Sequence, residues 1–238
     1  MNHVLNAVTS LKQGEVILVP TDTNYALAAD PWNEAACRKI FELKQRDLQK
    51  PLTIFIANPQ EIWKYVDISK VQQIGALEKL IAFMPGPINI VVPKTSLAPS
   101  NQFIKSESVA LVCNKQPVLR EVIELFGRPL GLSSANISGV NYETLIDADL
   151  AYSTFGDRVG YILPHSDKLT TTVSSTIVSF LGDTIEILRK GDIDIQDILI
   201  WWISRRILLL NAMKSYSLPI EWSHDAIFIF QFYYFIYG

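Results

Sequence analysis

The chain has 238 residues, 49% of them apolar, which is enough for a sizeable core and incompatible with global disorder. Its net charge of −3, from 21 basic and 24 acidic side chains, gives no bulk attraction to nucleic acid, so any such contact must be local. Cys37 and Cys113 form no CxxC or Cys/His spacing, which argues against a disulfide framework or structural zinc and for a reduced, cytoplasmic setting.

Met1–Lys12 lacks the basic start and long apolar run of a signal peptide, and no uninterrupted apolar run is long enough to span a bilayer. Short β-branched runs then predict strands, beginning with Val16–Val19. Asn33 can cap a helix to about Leu43, with Ala36, Ile40 and Leu43 on one face. A strand at Leu52–Ile56 precedes a helix over Val71–Phe83, which aligns Ile74, Leu77 and Ile81. Strands follow at Ile88–Val92 and Val109–Val112. Pro117 opens a third helix and Gly127 ends it. Further strands are expected at Leu130–Leu132, Tyr161–Leu163, Thr176–Phe180 and Ile185–Leu188, the last two joined as a hairpin. The pattern is α/β of the α+β type, a mixed β-sheet with helices packed on it.

Composition divides the chain at residue 199. Of five tryptophans, nine tyrosines and 11 phenylalanines, 11 fall within residues 201–238. Residues 1–199 read as one domain and 200–238 as an aromatic-rich extension. Three readings of the extension stand open: a helix packed on the domain, a partner- or membrane-surface patch, or a non-native addition. An exposed FIFQFYYFIY segment is an aggregation hazard, so a native extension must be buried.

Four clusters could carry chemistry. Pro20-Thr21-Asp22-Thr23-Asn24-Tyr25 puts hydroxyls and a carboxylate at a strand end, although a turn satisfying its own backbone reads the same way. In Lys44-Gln45-Arg46-Asp47-Leu48-Gln49-Lys50-Pro51, an extended backbone would put Lys44 and Arg46 on one face with Lys50, a cationic set suited to polyphosphate or carboxylate. A solvated basic loop is the plain alternative. Gly131–Gly139 follows a strand and offers Ser134 and Asn136 as neutral donors and acceptors on small-residue backbone. Ser174-Ser175-Thr176 leads into a strand, with Arg189 at the far end of the hairpin.

Together, P-T-D-T-x-Y, K-x-R-x-x-x-K-P-L, P-G-P at Pro85 to Pro87, S-S-A-N-x-S-G, S-S-T-I-V and L-R-x-G, in this order from about Leu5 to Ile195, resemble the YrdC-like family of threonylcarbamoyl-AMP synthases. The resemblance implies a twisted sheet with surrounding helices and a concave, locally basic groove. It implies a nucleotidyltransferase that makes threonylcarbamoyl-adenylate from threonine, bicarbonate and ATP with magnesium. Other tRNA-modification proteins then use the product, with weak RNA contact by this chain and no membrane span. Carried over by position, Arg46, Lys50, Ser108, Asn136 and Arg189 match ATP contacts, and Thr23, Ser134 and Ser175 match threonine contacts. Lys44 and Arg46 are catalytic only in the sense of positioning and charge stabilisation, because threonine's own amine takes up bicarbonate. No metal ligand is identified.

The sequence also departs from the family. A V-x-V-R-x-P stretch, whose arginine grips the amino-acid carboxylate, reads Val109 to Pro117 here, with Val112 at the arginine position and Asn114 at the proline. Loss of such a charge-assisted pair costs about 1.5–3 kcal/mol. Phe55 stands where some members have histidine, and Ala26-Leu27 replaces a Gly-Leu turn after the tyrosine. The complete K-x-R and S-x-N favour the enzyme, whereas Val112 favours a non-catalytic RNA- or nucleotide-binding paralogue. A carbamoyl-transfer relative acting on another acceptor is the third reading.

Overall fold

The computed structural model describes residues 2–139, 146–164, 175–198 and 200. It opens with helix α1 (Asn2–Lys12), which the strand and helix expectations omit, although Val4, Ala7, Val8 and Leu11 recur at helical spacing and are buried. Strand β1 (Ile17–Pro20) is followed by β2 (Tyr25–Ala29), where a tight turn at Ala26-Leu27 is expected. Burial overturns that expectation. All five β2 residues are buried, and Pro20 lies opposite Tyr25 in an antiparallel pair, so the turn is confined to Thr21–Asn24.

Helix α2 (Glu34–Lys44) starts as expected, with Asn33 Oδ1 accepting from the Ala36 N–H at 3.2 Å. Strand β3 (Thr53–Ile56), the short helix α3 (Ile62–Tyr65) and α4 (Ile74–Phe83) follow, α4 beginning at Ile74 rather than Val71. Strands β4 (Ile88–Pro93) and β5 (Ser108–Cys113) precede α5 (Pro117–Phe126). Gly127 closes α5 at φ 87°, a left-handed conformation suited to glycine. After β6 (Leu130–Ser134) comes a second unanticipated helix, α6 (Ala148–Phe155), capped by Asp147, whose Oδ1 accepts from the Leu150 N–H at 2.9 Å. Strands β7 (Tyr161–Ile162), β8 (Thr176–Ser179) and β9 (Glu186–Arg189) complete the described elements, and β8–β9 is the expected hairpin.

The nine strands form one mixed sheet in the order β7-β1-β2-β6-β3-β5-β4-β8-β9. Pairs β1–β7, β3–β5 and β4–β8 are parallel and the rest antiparallel. Strand alternation sorts side chains to two faces. Val16, Leu18, Ile54, Ile90, Leu111 and Val178 join α2, α4 and α6 in the larger core. Ile17, Val19, Ala26, Leu130 and Leu132 join α1 and α5 in a smaller one. The smaller core takes no residue from β4, β5, β8 or β9. Helices thus pack the first face except at β9, whose residues are all exposed, while the β5-β4-β8 part of the second face lies outside both cores. The boundary at residue 199 and the extension lie outside the described residues except for Ile200. Among the described residues no helix is long and apolar enough to cross a membrane.

Candidate functional site

The K-x-R segment is not extended. Lys44 is the last residue of α2, and Gln45 leaves the helix at φ 52°, its N–H bonding back to Glu42 and Phe41 carbonyls. That left-handed step replaces the strand periodicity by which Lys44 and Arg46 were to share a face. Lys44 is instead buried, at 1% exposure. Its ammonium donates to the Ser134 carbonyl, to the Asn136 carbonyl at 2.7 Å and to Asn136 Oδ1 at 3.1 Å. Its own carbonyl accepts from the Ser138 N–H at 2.9 Å. Burial first, and then the neighbouring Arg46 guanidinium, hold the ammonium down at about 7. Lys44 therefore joins the end of α2 to the S-x-N loop, and three acceptors match its three protons.

Arg46 folds back on its own loop. Its Nε donates to the Lys50 carbonyl at 2.7 Å and its Nη2 to the Pro51 carbonyl at 3.1 Å, while the guanidinium lies 5.7 Å from the Phe41 ring centroid. Burial lowers its pKa. A turn, with the Lys50 N–H on the Asp47 carbonyl, brings Arg46 and Lys50 together rather than two strand repeats, and leaves the Lys50 side chain exposed. A cleft of about 410 Å³ opens between Leu48–Pro51 and Ser100–Ser106. Buried Ser108 starts β5 two residues beyond it.

Ser134 ends β6, and its hydroxyl donates to Asn136 Oδ1 at 2.6 Å. Ser134 sits opposite Ala26, and the Ala135 N–H bonds the Tyr25 carbonyl at 2.8 Å. The S-x-N loop thus flanks the Thr21–Asn24 turn. In that turn the Thr21 hydroxyl donates to the Asn24 carbonyl at 2.6 Å and its oxygen accepts from the Thr23 and Asn24 N–H groups at 3.1 and 3.0 Å, with Thr23 Oγ1 3.2 Å away. Thr23 is 7% exposed.

Asp22, the carboxylate of the first candidate cluster, and Asn114, which the sequence does not place in the site, fasten this turn. Asn114 Nδ2 donates to Asp22 Oδ1 at 2.6 Å, the Lys115 N–H donates to Asp22 Oδ2, and the Asp22 N–H donates to Asn114 Oδ1, both at 3.1 Å. Burial raises the Asp22 pKa against the lowering effect of these bonds and of Lys115. The link carries Thr23 to the end of β5 that holds Val112. In the sequence Asp22 stands out as the carboxylate of the first cluster and Asn114 only as an asparagine at a family proline position.

Val112 is 1% exposed and pairs with Phe55 on β3. Beside this end of β5, where the Gly86 N–H bonds the Cys113 carbonyl at 2.9 Å, the Lys115 Cε lies 3.7 Å from the point a Cβ on Gly86 would occupy. Ser175 and Arg189 belong together, the Arg189 Nε donating to the Ser175 carbonyl at 2.9 Å. Of the expected residues, Lys44, Ser134 and Asn136 are directly bonded, Arg46 and Lys50 share a loop beside them, Thr23 adjoins them, and Ser175 with Arg189 form a separate pair on the β8–β9 hairpin. Among the described residues no three His, Cys, Asp or Glu side chains cluster as metal ligands.

Comparison with known proteins gives this arrangement its relatives. A threonylcarbamoyl-AMP synthase from Pseudoalteromonas translucida is 33% identical over 155 residues, 65% of this chain and 81% of that protein. One from Vibrio campbellii is 33% identical over 166 residues, 68% of this chain and 86% of that protein. The crystal structure of P. abyssi Sua5 complexed with L-threonine aligns at a TM-score of 0.72 and 27% identity, covering 82% of this chain and 56% of that one. This chain therefore spans little more than half of that protein. The E. coli YciO structure shares the fold, at a TM-score of 0.71 and 21% identity over 83% of this chain and 93% of that one. The Sua5/YciO/YrdC family model, described as "Telomere recombination", matches residues 9–191, and the chain belongs to that family.

Proposed function

We propose that the chain is an L-threonylcarbamoyladenylate synthase, a nucleotidyltransferase acting on threonine, bicarbonate and ATP. The observation that carries this reading is the direct bonding of two motifs 90 and 92 residues apart, Lys44 Nζ to the Ser134 carbonyl and to Asn136. The two segments that the family pattern pairs thus lie together, with Arg46 and Lys50 on the adjoining loop.

The chemistry needs no protein nucleophile. The threonine amine attacks bicarbonate, water leaves, and an N-carboxylate forms. A carbamate oxygen attacks the α-phosphorus of ATP, and the bond to the bridging oxygen breaks, releasing pyrophosphate. Arg46 and Lys50 supply positive charge where the leaving pyrophosphate gathers negative charge. Asn136 and Ser108 border the nucleotide, Thr23, Ser134 and Ser175 border threonine, and Arg189 borders the nucleotide from the hairpin. Lys44 is a positioning residue, since its three donors are committed to the loop. Magnesium would be part of the substrate, bound to the ATP phosphates, and would supply further positive charge to the leaving pyrophosphate. The product is an activated carbamoyl group for transfer to a tRNA adenosine by partner proteins.

Val112, buried where the family motif carries arginine, favours a second reading, a nucleotide- or RNA-binding paralogue without synthesis. Incubation with ATP, bicarbonate, magnesium and labelled threonine separates the two. The enzyme yields labelled adenylate and pyrophosphate, and the paralogue binds nucleotide and yields neither.

A further inference from the structure

The β5-β4-β8 part of the second face, outside both cores, holds one buried side-chain oxygen with no partner among the described residues. Asn89, in β4, is 7% exposed, and its Oδ1 is buried without a hydrogen bond. Ile88 and Ile90 on either side pack into the larger core, so alternation turns Asn89 to the second face. There it belongs to a row across four strands. Phe55 pairs with Val112, the Ile90–Leu111 pair sets Asn89 beside Val112, and Asn89 pairs with Ile177. The Asp22–Asn114 link brings Thr23 to the same end of β5.

An unpaired buried acceptor destabilises the folded chain and calls for an explanation. Its immediate neighbours in the row, Phe55, Val112 and Ile177, are apolar, and the row meets a charge only one strand further, at Arg189 opposite Ile177. The row fits a ligand group that presents one hydrogen-bond donor amid hydrocarbon. A carboxylate offers only acceptors and does not fit. This inference rests on the reading of threonine as substrate. The threonine nitrogen keeps an N–H in the carbamate but has the charged carboxylates beside it, whereas the β-carbon bears a hydroxyl and a methyl side by side, which matches a single acceptor amid hydrocarbon. We propose that Asn89 is a specificity-determining residue, its Oδ1 accepting a hydrogen bond from the β-hydroxyl of the substrate amino acid while Val112 and Ile177 face the methyl.

The test compares threonine with valine, which has a methyl in place of the hydroxyl. In calorimetry with a saturating non-hydrolysable ATP analogue, the full chain is expected to bind threonine at least about 100-fold more tightly than valine, because a site built around a substrate hydroxyl rejects the analogue lacking it. Asn89→Leu, similar in volume but without an acceptor, is expected to bring that ratio below about tenfold while leaving the urea midpoint equal or higher. An unchanged ratio overturns the proposal, whatever the midpoint does. Asn89→Thr and Asn89→Val guard against a leucine variant that does not fold. Both are β-branched and suit a strand, and they differ by one hydroxyl against one methyl. The threonine variant is expected to keep the preference and the valine variant to lose it. Equal ratios in the two overturn the proposal. Threonine-dependent pyrophosphate release by the unmodified chain is read separately. If release is absent while threonine is still preferred over valine, the synthase reading fails and the Asn89 assignment stands. If the unmodified chain does not distinguish the two amino acids, the Asn89 assignment fails regardless of release.

Discussion

Lys44→Met replaces the buried ammonium with an uncharged side chain of similar length. Three acceptors then lose their donor: the Ser134 carbonyl, the Asn136 carbonyl and Asn136 Oδ1. A buried acceptor left unpaired costs about 1–3 kcal/mol. Ser134 lies at an exposed strand end, where water can replace the ammonium, so the loss is expected at about 2–4 kcal/mol rather than three full penalties. Nucleotide affinity is expected to fall at least about tenfold, because the S-x-N loop loses its tie to the K-x-R segment. The pH dependence separates this account from simple packing. Burial and Arg46 hold the folded-state pKa at about 7, against an ordinary 10.5. Below pH 7 both folded and unfolded chains hold the proton. Between 7 and 10.5 the unfolded chain still holds it and the folded chain has released it, so stability rises with pH at up to about 1.4 kcal/mol per unit. Lys44→Met lacks this titration. Urea unfolding of both forms at pH 6.5, 8 and 9 is therefore expected to give a stability gap that widens with pH. A gap independent of pH, or a variant as stable as the parent with unchanged ATP binding, refutes the reasoning.

Asp22→Ala removes the bonds to Asn114 and Lys115 and is expected to cost about 1–3 kcal/mol. It should raise the threonine KM more than the ATP KM; equal effects on both would contradict its role in holding Thr23. Gln45→Gly relieves a left-handed conformation at φ 52° and is expected to raise stability by about 0.5–1 kcal/mol, read from the urea midpoint; a lower midpoint contradicts it. Val112→Arg places a long cation at a position only 1% exposed and is expected to cost about 1–3 kcal/mol through overpacking. Threonine binding is expected to weaken as well, since Val112 is assigned to the threonine methyl; tighter threonine binding without any stability loss would contradict both expectations.

The strands were legible because β-branched runs between turn residues carry their own signal, and Ile88–Pro93 and Ser108–Cys113 each extend the expected run by only a residue or two. β2 was hidden because Tyr25–Ala29 is rich in alanine, which fits a strand only when both faces are covered, and those faces are supplied by distant helices. α1 had the helical period but no sequence cap to announce it. At the site, ordered motifs pointed to Lys44, Arg46, Ser134 and Asn136, yet the geometry of Lys44 depends on one left-handed residue, Gln45, which no spacing rule anticipates. Asp22 with Asn114 is a contact between residues 92 apart, invisible to local patterns. Asn89 could have been singled out as the one polar residue in Ile88–Val92, but its lack of a partner emerges only from the folded sheet.

The account stands or falls on product formation. Purified chain, ATP, magnesium and bicarbonate are incubated with and without labelled threonine, and pyrophosphate and labelled adenylate are quantified together. The account predicts equal amounts of both, formed only when threonine and bicarbonate are present, and reduced at least about tenfold by Arg46→Ala, which removes a charge-assisted contact to the leaving phosphates. Nucleotide binding with no threonine-dependent pyrophosphate, under conditions where a family synthase is active, would contradict it.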